Sequence, residues 1–307
     1  MKKIGTIISI LFLAAVAVPA QSPPTLRIVT ETPGLPSDLF YGDVKVKPLR
    51  LRPGTNQPIT IDDIDFLVQQ QYIDFLGRFP DQTGFQNWVN TVAGCPGGGF
   101  GEFDHPECDR VHMSAGFVQS YEFQGRGYWL LRVGYVGLDR HIIDGSRNRK
   151  SSLNYSEFVG GLQQVGGPGG LNQTPQENAA KIAFANTFVQ RADFLALFPN
   201  SDPNSTYVNK LEANAGVTLS NKQTLVDALN AGTMTRADVL RNVVESQVVF
   251  DKFIINSFVD MEYKGYLRRD PDTIGYNNWI DTLTANPSDY RHMVFGFIYS
   301  TEYRTRF

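Results

Sequence analysis

The chain has 307 residues, 42% hydrophobic, 12% aromatic and 19% charged, with 28 Lys+Arg against 31 Asp+Glu and a formal net charge of −3. That balance argues against disorder, a nucleic-acid surface and a polybasic membrane face, and two cysteines are too few for a disulfide scaffold. The length supplies one or two compact domains with a substantial core.

In chain order, residues 1–20 read as a signal peptide. Lys2 and Lys3 form the basic start, Ile7 to Val18 an apolar stretch broken only by Ser9, and Val18-Pro19-Ala20 a small-residue cleavage site. No later stretch approaches the ~20 apolar residues of a membrane span, so the mature chain is expected to be secreted, without a membrane span. Residues 21–60 are a Pro-rich lead-in whose brief alternations (Val44 and Val46, Leu49 and Leu51) allow short strands. From residue 61 the apolar spacing becomes helical, and the expected fold class is all-α.

The helical part repeats itself. Residues 71–92 align without gaps to 262–283, with nine of 22 positions identical: Tyr72, Leu76, Arg78, Pro80, Asp81, Gly84, Asn87, Trp88 and Thr91. Residues 111–124 align to 291–304 with six of 14 identical. The offset falls from 191 to 180, which places an 11-residue insertion in the first copy, in the segment holding Cys95 and Cys108. A degenerate copy lies between: Asp202-Pro203 matches Asp270-Pro271, Tyr207 stands in for the Trp, and Ser246 falls where Ser120 and Ser300 do. The expected organisation is a first module at 61–145 with its Cys loop, a Gly-rich connector at 146–180, a degenerate module at 181–252 and a C-terminal module at 253–307.

The repeated residues have structural readings. Pro80 and Pro271 fit the first turn of a helix, Asp270 fits its cap, and Asp81 and Asp272 place negative charge at its N-terminus. Phe85, Trp88 and Val92 recur at core spacing, and Gly84 and Gly275 suit close packing one turn before Trp88 and Trp279. Thr174-Pro175-Gln176-Glu177 and Thr235 with Asp238 read as capping boxes. Asp62, Asp63 and Asp65 lack the Gly and distal Glu of a calcium loop and read as an acidic helix start.

In an exported protein, Cys95 and Cys108 are expected to form a disulfide closing the inserted loop. The alternative is a zinc set of Cys95, His105, Cys108 and His112. Against it, His112 recurs as His292 in a copy without cysteine. No G-x-S-x-G, H-E-x-x-H or P-loop is present. A hydrolase working through Glu122, Glu302 or His141 is a third-ranked reading, and no catalytic residue, metal or cofactor is assigned.

The motif Arg-x-Pro-Asp-x-x-Gly-x-x-x-Trp occurs twice, as Arg78, Pro80, Asp81, Gly84, Trp88 and as Arg269, Pro271, Asp272, Gly275, Trp279. With the Ser-x-Glu-aromatic endings (Ser120, Glu122, Phe123 and Ser300, Glu302, Tyr303), it resembles the bacterial domain of unknown function 4214. The layout is similar to exported multi-copy members of the Acidobacteria type, in which a Cys pair follows the first Trp helix and a Gly-Tyr-Leu-Arg-Arg segment (here Gly265 to Arg269) opens the last copy. The ending TEYRTRF is similar to the ends of phycobilisome linker domains, which are all-α interaction modules. The first resemblance implies a secreted or surface protein without established catalysis, and the chain is expected to be non-enzymatic. The expected role is interaction with an extracellular or cell-envelope protein. The alternative, motivated by 21 Phe, 13 Tyr and 3 Trp, is a carbohydrate- or peptidoglycan-binding module with an exposed Tyr or Trp on a groove.

Overall fold

The structure is a computed structural model that describes residues 57–101, 105–139, 152–166 and 175–307, together with Arg52 and the backbone of three short strands. Residues 1–20, read above as a signal peptide, and His141, Thr174, Gly167, Gly169 and Gly170 lie outside the described residues. In the lead-in, β1 (Leu26–Val29), β2 (Asp38–Tyr41) and β3 (Val44–Lys45) form an antiparallel sheet in the order β1-β2-β3. Beyond it the described chain is helical, as the apolar spacing predicts.

The two similar segments fold alike. In the first, α1 (Ile64–Gln71) runs into a π-helical turn (Tyr72–Leu76), followed by α2 (Gln82–Ala93), α3 (Arg110–Val118) and the short α4 (Tyr121–Phe123). In the last, α12 (Gln247–Glu262) runs into a π turn (Tyr263–Leu267), followed by α13 (Thr273–Ala285), α14 (Tyr290–Ile298) and α15 (Thr301–Arg304). The Asp, Gly and Arg of the repeated motif have the same tasks in both. Asp81 and Asp272 are N-caps, accepting the N–H of Gly84 and Gly275 at 2.8 Å. Pro80 and Pro271 therefore precede the cap and lie outside the first turn expected for them. Nor is Asp270 the cap: its carboxylate takes the buried Lys264 ammonium at 2.9 Å. Gly84 and Gly275 are glycines because a Cβ would overlap the hydroxyl of Tyr72 or Tyr263, which opens each π turn. Arg78 and Arg269 lie over those tyrosine rings at 5.0 and 5.2 Å.

Trp88 and Trp279 are half-buried at the edge of the core, while Phe85, Val92, Tyr276, Ile280 and Leu283 form the buried stripes of their helices. Trp88 covers Gly116, where an added Cβ would sit 2.6 Å from the indole; nothing lies within 4 Å of the corresponding position at Gly296.

Between these segments lie α5 (Trp129–Leu138), α6 (Tyr155–Gly166), α7 (Pro175–Phe188), α8 (Ala192–Leu197), α9 (Asn204–Ala215), α10 (Lys222–Asn230) and α11 (Arg236–Val244). Part of the segment read as a Gly-rich connector is helix. Gly160, Gly161 and Gly166 belong to α6, and Gly161 lets that helix approach Leu130 of α5, 3.0 Å from an added Cβ. Tyr207 is fully buried in α9, its hydroxyl donating to the Arg236 carbonyl at 2.7 Å. The extended residue that starts a new helix recurs with nearly the same dihedrals at Ser120 (φ −63°, ψ 144°), Arg191 (−62°, 144°), Ser246 (−67°, 145°) and Ser300 (−63°, 143°). The turn after Phe188 thus copies the one after Phe117 although Arg replaces Ser.

First and last segments close against each other over one continuous core running from Ile59 to Tyr303. α3 packs on α14, and Phe75 meets Tyr266 edge to face at 5.0 Å, filling the space left by Gly265. Asp74 receives Arg268 at 2.9 Å and Arg306 at 2.8 Å, Asp109 receives Arg291 at 2.5 Å, and Asp62 receives Arg304 at 2.5 Å. Phe307 packs edge to face on Phe66 at 5.4 Å. No helix among the described residues is long and apolar enough to cross a membrane.

A candidate binding cleft

Three separate stretches of chain meet at a cleft of about 490 Å3: the corner from α4 into α5, the start of α7, and the corner from α11 into α12. Local sequence sets each wall. Ser120 caps α4 by accepting the N–H of Phe123 at 3.1 Å, leaving Tyr121 at the mouth, 51% exposed. A π turn over Gln124–Tyr128 then leads into α5; it contains Gly127, because a Cβ there would stand 2.7 Å from the Phe123 ring. On the far wall, the Thr235–Asp238 capping box starts α11, as its sequence predicts, and Ser246 turns the chain into α12. Pro175 opens α7.

Polar groups in the cleft are wired to each other. Trp129 is buried and donates its indole N–H to Glu245 at 2.9 Å; Glu245 also receives Arg241, which donates to Asn178 at 2.8 Å. Lys181 pairs with Glu177 at 2.7 Å and lies 5.5 Å from the Trp129 ring. Behind them Arg126 bridges Glu122 at 2.9 Å and Glu177 at 3.8 Å. Arg132 donates its Nε–H to the Val244 carbonyl at 2.8 Å and stacks over Phe250 at 5.0 Å. Burial lowers its pKa to about 10, against a partly opposing field from Glu245. It stays cationic near neutrality. The cleft volume falls within the roughly 300–1,000 Å3 typical of small-ligand sites.

The residues singled out by the repeat lie elsewhere. Glu122 and Glu302 close equivalent turns in different segments, Glu122 paired with Arg78 and Arg126 and Glu302 with Arg269, so no two-carboxylate cleft forms from them. Cys95 and Cys108 are joined in a disulfide with a Cα–Cα distance of 5.5 Å, which removes both thiolates from the alternative zinc set. His112 packs its ring against Trp88 at 6.1 Å. Asp63 stands at the N-cap position of α1, accepting the Thr60 N–H, and with Asp65 pairs with Arg52, so the acidic cluster lies at the helix start.

Tyr121, Lys181, Arg241, Glu245 and Phe250 escape sequence reading because three distant stretches contribute them, and Glu177 is legible there only as part of a capping box. One signal was available. Arg132 is the single charge in the helix WLLRVGYVGL, all ten residues of which are buried.

Residues 254–307 match the family model described as Domain of unknown function (DUF4214), so the C-terminal segment carries the resemblance seen in its motif. No curated protein and no solved structure matches the chain.

Proposed function

We propose that this is an exported, non-enzymatic binding protein whose cleft holds a glycan of the cell envelope. The observation that carries the reading is Tyr121, an aromatic ring half exposed at the mouth of a cleft lined with amides and ion-paired carboxylates. Sugars offer an apolar ring face for such an aromatic and a fringe of hydroxyls for planar polar side chains. A protein partner, the role first expected from the repeated module, calls instead for a patch whose core gathers aromatic and apolar side chains within a polar rim. The exposed large apolar residues Phe100, Ile182, Leu197, Val248 and Ile274 come from well-separated parts of the chain. The carboxylates that acid–base chemistry would use are held by guanidinium or ammonium groups: Glu122 by Arg78 and Arg126, Glu177 by Lys181, Glu245 by Arg241.

Co-sedimentation of the mature chain (21–307) with bacterial envelopes tests this, before and after proteinase treatment of the envelope. Binding that survives the proteinase is the expected result. Binding abolished by it would transfer the role to a protein partner.

A further inference from the structure

Three arginines among the described residues are almost wholly buried: Arg110, Arg126 and Arg132. Arg126 meets Glu122 and Glu177, and Arg110 donates its Nε–H and a terminal N–H to the Gly98 and Asp62 carbonyls. Arg132 is 6% exposed and pairs with no carboxylate among the described residues; its Nε–H has the Val244 carbonyl, and its terminal nitrogens have no protein acceptor. A guanidinium taken out of water without an anion is costly, and its planar fork matches a carboxylate two bonds at a time. The lining as a whole agrees with that vacancy: Arg132, Lys181 and Arg241 face Glu177 and Glu245, leaving one positive charge in excess. Both carboxylates already have partners of their own.

We infer that the cleft takes an acidic sugar, its carboxylate held by Arg132 and its ring lying against Tyr121. This deepens the glycan reading above and rests on it. Asn178 and Gln124 supply amides for the ring hydroxyls, and the Phe250 ring under Arg132 keeps the guanidinium in plane for a two-pronged contact. A simple anion would use Arg132 alone and gain nothing from Tyr121. A neutral sugar would use Tyr121 and leave Arg132 unmet. The two features together select a ligand with both.

Titration calorimetry on the mature chain, with D-glucuronate, D-glucose and inorganic phosphate as probes, tests the inference. Glucuronate is expected to bind at least about tenfold more tightly than glucose and than phosphate, a difference of about 1.4 kcal/mol. Arg132→Gln should bring glucuronate down to the level of glucose, and Arg132→Lys should restore only part of the preference because it keeps the charge and loses the fork. Tyr121→Ala, at an exposed position that leaves the core intact, should weaken glucuronate about tenfold and leave phosphate unchanged; it also serves as the test if Arg132→Gln fails to fold. Equal affinity for glucose and glucuronate would overturn the acidic-sugar inference while leaving the glycan reading standing. Equal affinity for phosphate and glucuronate, or an unaltered Tyr121→Ala variant, would reduce the site to an anion pocket and overturn it as well. Binding of none of the probes would also overturn it, with the envelope experiment then deciding the broader reading separately.

Discussion

Replacing Glu122 and Glu302 by alanine, one at a time, separates the effect of burial from that of geometry. Both carboxylates receive the same two-pronged guanidinium: Arg78 reaches Glu122 at 2.8 and 2.8 Å, and Arg269 reaches Glu302 at 2.6 and 3.0 Å. Their surroundings differ. The Glu302 and Arg269 side chains are 48% and 39% exposed, whereas Glu122 is 9% exposed and also holds Arg126, at 3%. Water screens the outer pair, so Glu302→Ala should cost about 0–1 kcal/mol. Truncating Glu122 takes the nearer carboxylate from Arg126 and leaves Glu177 at 3.8 Å. Breaking a buried pair from one side costs about 3–5 kcal/mol, and the remaining carboxylate places the expected loss near about 3. For a body of about 250 residues the entropy of unfolding is about 0.5 kcal/mol/K, so these losses correspond to about 6 °C and under about 2 °C in Tm. Urea titrations followed by circular dichroism give both free energies directly. Equal losses at the two positions would refute the reasoning, since identical hydrogen-bond geometry would then outweigh burial.

Three further outcomes follow from the same structure. The Cys95–Cys108 disulfide spans a sequence separation of 13, and in the chain-entropy account closing such a loop contributes about 3 kcal/mol; reduction, or the Cys95→Ala/Cys108→Ala variant, should lower stability by that amount in urea titrations, and a loss below about 1 kcal/mol would show that the reduced chain is already constrained there. Gly116→Ala should destabilise by about 1–3 kcal/mol because its methyl meets the Trp88 indole, whereas Gly296→Ala, in open space on α14, should stabilise by about 0.5–1 kcal/mol; thermal melts that rank the two variants the other way would contradict the packing described. Glu262, at the position of Gln71 in the first copy, is completely buried, its carboxyl oxygens have no hydrogen-bond partner among the described residues, and burial pushes its pKa well above the ordinary glutamate range. The folded chain therefore keeps a proton there that the unfolded chain releases, and stability falls as pH rises above about 4.3. Glu262→Gln should be more stable than the parent at neutral pH and match it at lower pH, and a pH-independent difference between the two would count against a buried neutral carboxyl.

The sequence makes the scaffold readable and leaves the cleft hidden, for the same reason. Thr235, Asp81 and Asp272 act on backbone groups three residues away, so sequence spacing predicts the Thr235–Asp238 capping box and the acidic residues at the starts of α2 and α13, although the cap itself is Asp272 and not the expected Asp270. The alternation of apolar residues along α2 and α13 likewise marks the face that is buried. Where the reading fails, a distant side chain has intervened. Asp270 is drawn from its helix to Lys264, and Gly161 belongs to a helix pressed against Leu130. Trp88 and Trp279 stop at the edge of the core because Phe85 and Tyr276, three residues earlier, occupy its interior. Repetition also draws attention to the wrong place: residues shared by two copies are those the module needs in order to fold. Tyr121, Lys181 and Arg132 belong to the cleft and have no counterparts in the repeated motif.

The clasp between the first helix and the last residues bears on how the molecule comes into being. Asp62 waits for Arg304, Asp74 for Arg306 and Phe66 for Phe307, partners more than 230 positions further along the chain. A polypeptide that emerges from its N-terminus can form each repeated unit locally and early, but the seam between the first and last of them stays open until residues 304–307 arrive. Contacts of such long range slow folding and leave apolar surface uncovered in the meantime. Phe75 and the α3 face that awaits α14 are the surfaces left uncovered in that interval. Residues 304–307 thus close the seam between the first and last repeated units.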